Sequence, residues 1–211
     1  FEAVGIDVST LTSWDAYFEA AREVMDANPG SYALPISGSM HEMLLRQRGS
    51  DWFDAEGNII IDSELSIDTM NWMLGLIDQG LAVQSADNIT QDFPLMREGR
   101  YIAYPGADWL GGFFKDLVPD MSGKWKAMPL PAWEEGGTRT SVLGGTGAAI
   151  ISTSPYVEEA WKFLEFAMLS VEGNVRRYEL TTLFPPYIPA MNDPRLHTPD
   201  EYFSGQRLGL L

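Results

Sequence analysis

Residues 96–109 read MREGRYIAYPGADW. The stretch RYIAY (100–104) has the aromatic and β-branched character of a buried strand, and Pro105-Gly106 turns the chain after it. Asp108 and Trp109 then follow in a segment with no apolar period. Segments of this kind alternate with helical patterns along the chain, which predicts an α/β fold with a mainly parallel sheet. In such sheets ligands sit beyond the carboxyl ends of the strands. Trp109 therefore has two readings: a core tryptophan beside a solvated aspartate, or half of a ligand-facing pair. An indole covers the apolar face of a pyranose and a carboxylate accepts from adjacent hydroxyls, so the pair suits a neutral polyol.

Upstream, TSWDAYFEAAREVM (12–25) places Trp14, Tyr17, Phe18, Ala21, Val24 and Met25 at helical spacing behind Thr12 or Ser13 as N-cap. SYALPIS (31–37) and residues 59–61 predict short extended segments, and residues 39–48 a helix stopped at Gly49. Residues 66–79 predict a helix packed on the sheet through Ile67, Met70, Leu74 and Ile77. Downstream, residues 110–117 predict a short helix, while KWKAMPL (124–130) and part of VLGGTGAAIIS (142–152) predict strands. Ser154-Pro155 opens a helix with Val157, Ala160, Trp161, Leu164 and Met168 on its apolar face, and another spans 171–180. Trp14, Trp72, Trp125 and Trp161 are expected in the core, and Trp52 and Trp133 in loops.

The chain has 211 residues, 45% of them hydrophobic, enough for one large core or two small ones. A net charge of −16 with only 14 Lys and Arg argues against nucleic acid and against an anionic membrane surface. There is no cysteine, and His41 and His197 lie far apart in sequence, so neither a metal nor another cofactor is expected. LGGTG (143–147) lacks the lysine of a phosphate loop and reads as a tight turn. No apolar run reaches the ~18 residues of a membrane span. The start at FEAVGID, with neither Met nor a leader, looks like a piece of a longer precursor.

Four segments together resemble the sugar-binding extracellular solute-binding proteins of ABC importers, relatives of maltose-binding protein. They are FEAVGID with TSWDAYFEAAREV, MREGRYIAYPGADW, SGKWKAMPLPAWEEGGTRTSVLGGTGAAI with SPYVEEAWKFLEFAMLS, and EYFSGQRLGLL. The resemblance implies a type II periplasmic-binding-protein fold of which this chain holds only part. Residues 1–141 would be most of the C-terminal lobe, and 142–211 the crossover and a returning, incomplete part of the N-terminal lobe. It implies capture of a mono- or oligosaccharide by two-lobe closure and delivery to ABC permease subunits, by a monomer and without catalysis. Asp108 and Trp109, Ser39 and His41 in SGSMHEM (37–43), and Gly144, Gly145 and Thr146 in the crossover would contact the ligand. The location would be periplasmic or extracellular, with a lipid anchor on the precursor as one form of it. The alternatives are a non-sugar solute such as a peptide or polyamine, and a glycoside hydrolase working through two carboxylates.

Overall fold

Ser13 starts the first helix by accepting a hydrogen bond from the Ala16 N–H (3.2 Å), and α1 (Trp14–Ala27) follows. Its buried residues Trp14, Tyr17, Phe18, Ala20 and Ala21 fill an aromatic core together with Trp72 and Trp133. Within that core Trp14 stacks on Phe18 (5.9 Å) and meets Trp72 edge-on (5.5 Å), and Trp72 lies 4.6 Å from Trp133. The computed structural model describes residues 1–86 and 88–211. The chain forms two units, each discontinuous in sequence: 1–106 with 128–143, and 107–127 with 144–211.

In the first unit, β1 (Leu34–Ile36) pairs in parallel with β2 (Ala82–Gln84), Leu34 opposite Ala82. RYIAY runs along the other side of the β1 segment, with Tyr32 donating to Arg100, Ile102 to Tyr32 and Ala103 to Ala33. Its pairing is confined to the Tyr32–Tyr101 bridge, so the expected strand is an edge contact. KWKAMPL forms no strand. Its first half belongs to the second unit and its second half to the first, and Pro129 and Pro131 remove ladder donors. Residues 142–152 form no strand either, because Gly144 and Gly145 turn the backbone to positive φ.

Helix α2 (Gly38–Gln47) and α3 (Glu64–Asp78) pack on each other. The buried side of α3 is Ser66, Thr69 and Met73 with Leu76, so Ile67, Met70 and Leu74 face outward, contrary to the expected stripe. The reason is a polar junction. Thr69 Oγ1 accepts from the Arg48 guanidinium (2.8 Å) and Ser66 bonds His41, so small hydroxyl residues are drawn to the helix contact. An unexpected helix, α4 (Ile89–Arg97), starts at Asn88 and carries Pro94 inside it.

Gln47 joins three parts of this unit. It is buried, its Nε2 donates to Pro131 O and Thr138 O (2.8 Å each), and its Oε1 accepts from Trp14 Nε1 (3.5 Å). Beside it Ala132 donates to Thr12 O and accepts from the Trp14 N–H, fixing the returning segment to the start of α1.

The second unit contains α5 (Leu110–Leu117), α6 (Val157–Leu169) and α7 (Val171–Thr181), with short 3-10 turns after α7. Tyr156, not Ser154, precedes the first turn of α6. That helix buries none of its residues, and Trp161 is 53% exposed, so the expected core tryptophan lies on the surface. The apolar centre instead gathers Val175, Tyr178, Ala190 and Leu196, with Phe184 and Tyr187 against them. Helices α6 and α7 meet in a close hairpin in which Asn174 Nδ2 donates to Met168 O (2.9 Å) and Ser170 O (2.8 Å). Gly173 lies against the Phe166 carbonyl, where a methyl group would overlap backbone.

Two outcomes test these contacts. Gln47→Leu should lower unfolding stability by about 1–3 kcal/mol, since it strands a buried carbonyl and an indole N–H; an unchanged urea midpoint would refute the junction. Gly173→Ala should destabilise by about 1–3 kcal/mol through overpacking against backbone, read in the same melts.

Candidate functional site

In the first unit, the carboxyl end of β1 runs directly into the first turn of α2. Ser37 caps that helix by accepting from the Met40 N–H, and its hydroxyl lies 3.0 Å from that of Ser39. Ser39, half-buried, thus stands where α/β sheets present ligand-binding groups. His41 is placed differently. It is 3% exposed, its Nδ1 lies 3.1 Å from Trp52 Nε1 and its Nε2 lies 3.1 Å from Ser66 O. An indole N–H only donates and a carbonyl only accepts, which assigns the proton to Nε2 and leaves neither nitrogen for a ligand. With the Trp52 ring stacked on it, His41 ties the loop after α2 to α3.

In the second unit, Asp108 and Trp109 directly precede α5. The Asp108 carboxylate accepts from the Trp109 N–H (Oδ1, 3.0 Å) and from the Phe184 N–H (Oδ2, 2.5 Å), while its carbonyl accepts from Thr182 Oγ1 (2.8 Å). Both carboxylate oxygens are therefore engaged within the chain. Trp109 is half-buried and meets the exposed Phe113 ring edge-on at 5.7 Å, so the two rings form an aromatic corner on the first turn of α5. Gly144 and Gly145 have φ of 82° and 147°, and an added Cβ at either would meet no atom within 4 Å. Their glycine character serves conformation and not close packing. Thr146 follows them, exposed.

One polar centre had no counterpart in the sequence reading. Asp92, buried on α4, accepts from Ser85 Oγ (2.9 Å), Tyr101 OH (3.1 Å) and Tyr104 OH (2.9 Å). It links the end of β2 to both tyrosines of RYIAY. Burial first, then the Asp92 charge, pushes the Tyr101 hydroxyl up to about 12. The available signal was Asn88 before ITQDF, an N-cap ahead of an amphipathic turn, which Pro94 obscures. Among the described residues no group of three or more His, Asp or Glu could hold a metal ion, and no helix is long and apolar enough to cross a membrane.

Comparison with known proteins agrees with this architecture. An arabinooligosaccharide-binding protein of Halalkalibacterium halodurans is 28% identical over 213 residues, covering 96% of this chain and 47% of that protein. The "Probable amino-acid ABC transporter periplasmic-binding protein y4oP" of Sinorhizobium fredii is 27% identical, covering 93% of this chain and 45% of its own length. The solved GacH receptor of Streptomyces glaucescens, studied unliganded and with acarbose, superposes with a TM-score of 0.68 at 17% identity, over 91% of this chain and 50% of that one. The chain thus spans about half the length of the relatives it matches. The fold is that of type II periplasmic binding proteins. The family described as bacterial extracellular solute-binding protein matches residues 1–171, and the chain belongs to that family.

Proposed function

We propose that the chain is part of the substrate-binding component of an ABC importer, capturing a mono- or oligosaccharide by closure of two lobes and handing it to the permease. In this reading residues 1–141 are most of the C-terminal lobe and 142–211 the crossover and a returning piece of the N-terminal lobe. The protein works as a monomer in the periplasm or outside the cell, lipid-anchored in its precursor, and makes or breaks no bond in its ligand. The observation that carries the proposal is the aromatic corner of Trp109 and Phe113, held half-open on the first turn of a helix. Such a platform suits the C–H face of a sugar ring. The names of the arabinooligosaccharide-binding relative and of the acarbose-bound neighbour support the same solute class.

Within the proposed site, Trp109 supplies the stacking face, Ser39 and Thr146 supply hydroxyls, and Gly144 and Gly145 leave backbone groups uncovered by side chains. Asp108 and His41 belong to the proposed set through the groups they orient, their polar atoms being engaged within the chain. The same engagement weighs against a polyamine, which needs open carboxylates around an aromatic box.

The test is calorimetric titration of the full-length protein with a panel of neutral oligosaccharides, amino acids and polyamines. Trp109→Ala should cost about 1.5–3 kcal/mol of sugar affinity with little loss of fold stability. Trp14→Ala, at a core position only 4% exposed, should destabilise the fold by about 3–5 kcal/mol. Binding of amino acids but no sugar would overturn the solute class. A Trp109→Ala protein that loses stability like Trp14→Ala and keeps its affinity would overturn the site.

A further inference from the structure

Helix α7 ends with an uncommon residue. Thr182, buried, adopts φ 57° and ψ 4°, the left-handed conformation that a β-branched residue rarely takes without compensation. The compensation is visible. Its N–H donates to Tyr178 O (2.8 Å), and its Oγ1 lies between two acceptors, the carbonyls of Asp108 (2.8 Å) and Thr181 (2.7 Å), which share its one proton. Two residues on, the Phe184 N–H donates to the Asp108 carboxylate, and the Phe184 ring packs on Tyr178 at 5.1 Å, in the apolar centre of the second unit.

The other side of the junction is as closely built. Gly111 and Gly112 are buried in the first turns of α5, directly after Trp109. A Cβ on Gly111 would lie 2.7 Å from Thr182 Oγ1, and one on Gly112 would lie 2.6 Å from the Thr181 carbonyl oxygen. The start of α5 therefore meets the end of α7 with no side chain of its own in between, Gly111 against the Thr182 side chain and Gly112 against the Thr181 backbone. Asp108 bridges the same contact from its carboxylate and its carbonyl while also fixing the Trp109 N–H.

We propose that Asp108 is a positioning residue: with Gly111, Gly112 and Thr182 it clasps the Trp109 turn onto the end of α7, so that residues 182–184 set sugar affinity without touching the sugar. The inference rests on the reading of Trp109 as the sugar platform. The clasp acts by removing freedom from the indole before the ligand arrives, which lowers the ordering cost of binding. Asp108 accepts two backbone N–H bonds at once. The substitution Asp108→Asn leaves a single side-chain acceptor oxygen and turns an amide N–H toward one of those donors.

The experiment uses the full-length protein labelled with 5-fluorotryptophan, with the Trp109 resonance assigned by its loss in Trp109→Phe. In ligand-free protein, Asp108→Ala and Thr182→Ala should shift or broaden the Trp109 line and leave the lines of the other tryptophans in place. Asp108→Asn should fall between Asp108→Ala and wild type. A Trp109 line unmoved in both alanine variants would overturn the clasp without reference to any sugar.

Titration with the tightest-binding neutral oligosaccharide then closes a double-mutant cycle. Asp108→Ala alone should weaken binding about tenfold, the scale of losing hydrogen bonds to a charged group. In a Trp109→Ala background it should weaken binding no further, because a residue acting only through Trp109 has nothing left to position. Additive losses would make Asp108 a direct sugar contact and overturn the proposal. If Trp109→Ala itself leaves affinity intact, the platform reading fails, and the fluorine spectra still decide whether the clasp exists. Gly111→Ala gives an independent probe. Its methyl would meet the Thr182 hydroxyl, so it should perturb the Trp109 line; an unmoved line would count against the clasp.

Discussion

The first unit depends on the return of the chain at residues 131–138 to a carboxamide on α2. Gln47 is buried, and its carboxamide bonds elements far apart in sequence: Trp14 at the start of α1, and the carbonyls of Pro131 and Thr138. Beside it, Ala132 completes the same seam by exchanging backbone bonds with Thr12 and Trp14. The aromatic packing of Trp14, Phe18, Trp72 and Trp133 supplies the apolar burial, but that burial is nondirectional. The register of the returning segment comes from Gln47, whose buried partners, the Pro131 carbonyl and the Trp14 indole, have no water to turn to if it slips.

A similar division of labour governs the second unit. The apolar centre around Val175, Tyr178 and Leu196 holds Phe184, and the backbone of Phe184 holds Asp108. Hydrophobic burial and polar geometry are thus arranged in series. Buried polar residues of the first unit are likewise held by partners within the chain, His41 by Trp52 and Ser66 and Asp92 by three hydroxyls. Among the proposed contacts, the surfaces left open are those of Trp109, Thr146 and the backbone of Gly144 and Gly145.

Local signals in the chain transferred well to the structure. Ser13 caps α1 as its position implies, and the helix expected over 110–117 forms with those bounds. Signals that depend on partners did not transfer. Ile67, Met70 and Leu74 satisfy a helical period, yet α3 turns Ser66 and Thr69 inward because His41 and Arg48 bond them from another helix. Trp161 sits at apolar spacing on a helix that buries nothing. The role of Asp108 was illegible for the same reason: its main-chain partner Phe184 lies 76 residues downstream. A period reports that a face exists, and only tertiary contacts say which face is covered.

The discontinuity of the two units has a consequence for biosynthesis and for proteolysis. The chain passes from one unit to the other after residues 106, 127 and 143, so each is assembled from separated stretches. During synthesis the first unit lacks its closing seam until about residue 138 has emerged, by which time the α5 region of the second unit is already outside and waiting for α7. Such long-range closure slows folding relative to units built from one continuous stretch. In the finished molecule the same threading works as a restraint. Within residues 1–211, a nick at any one passage leaves both units tied by the other two, so a protease must cut there more than once before these stretches can part.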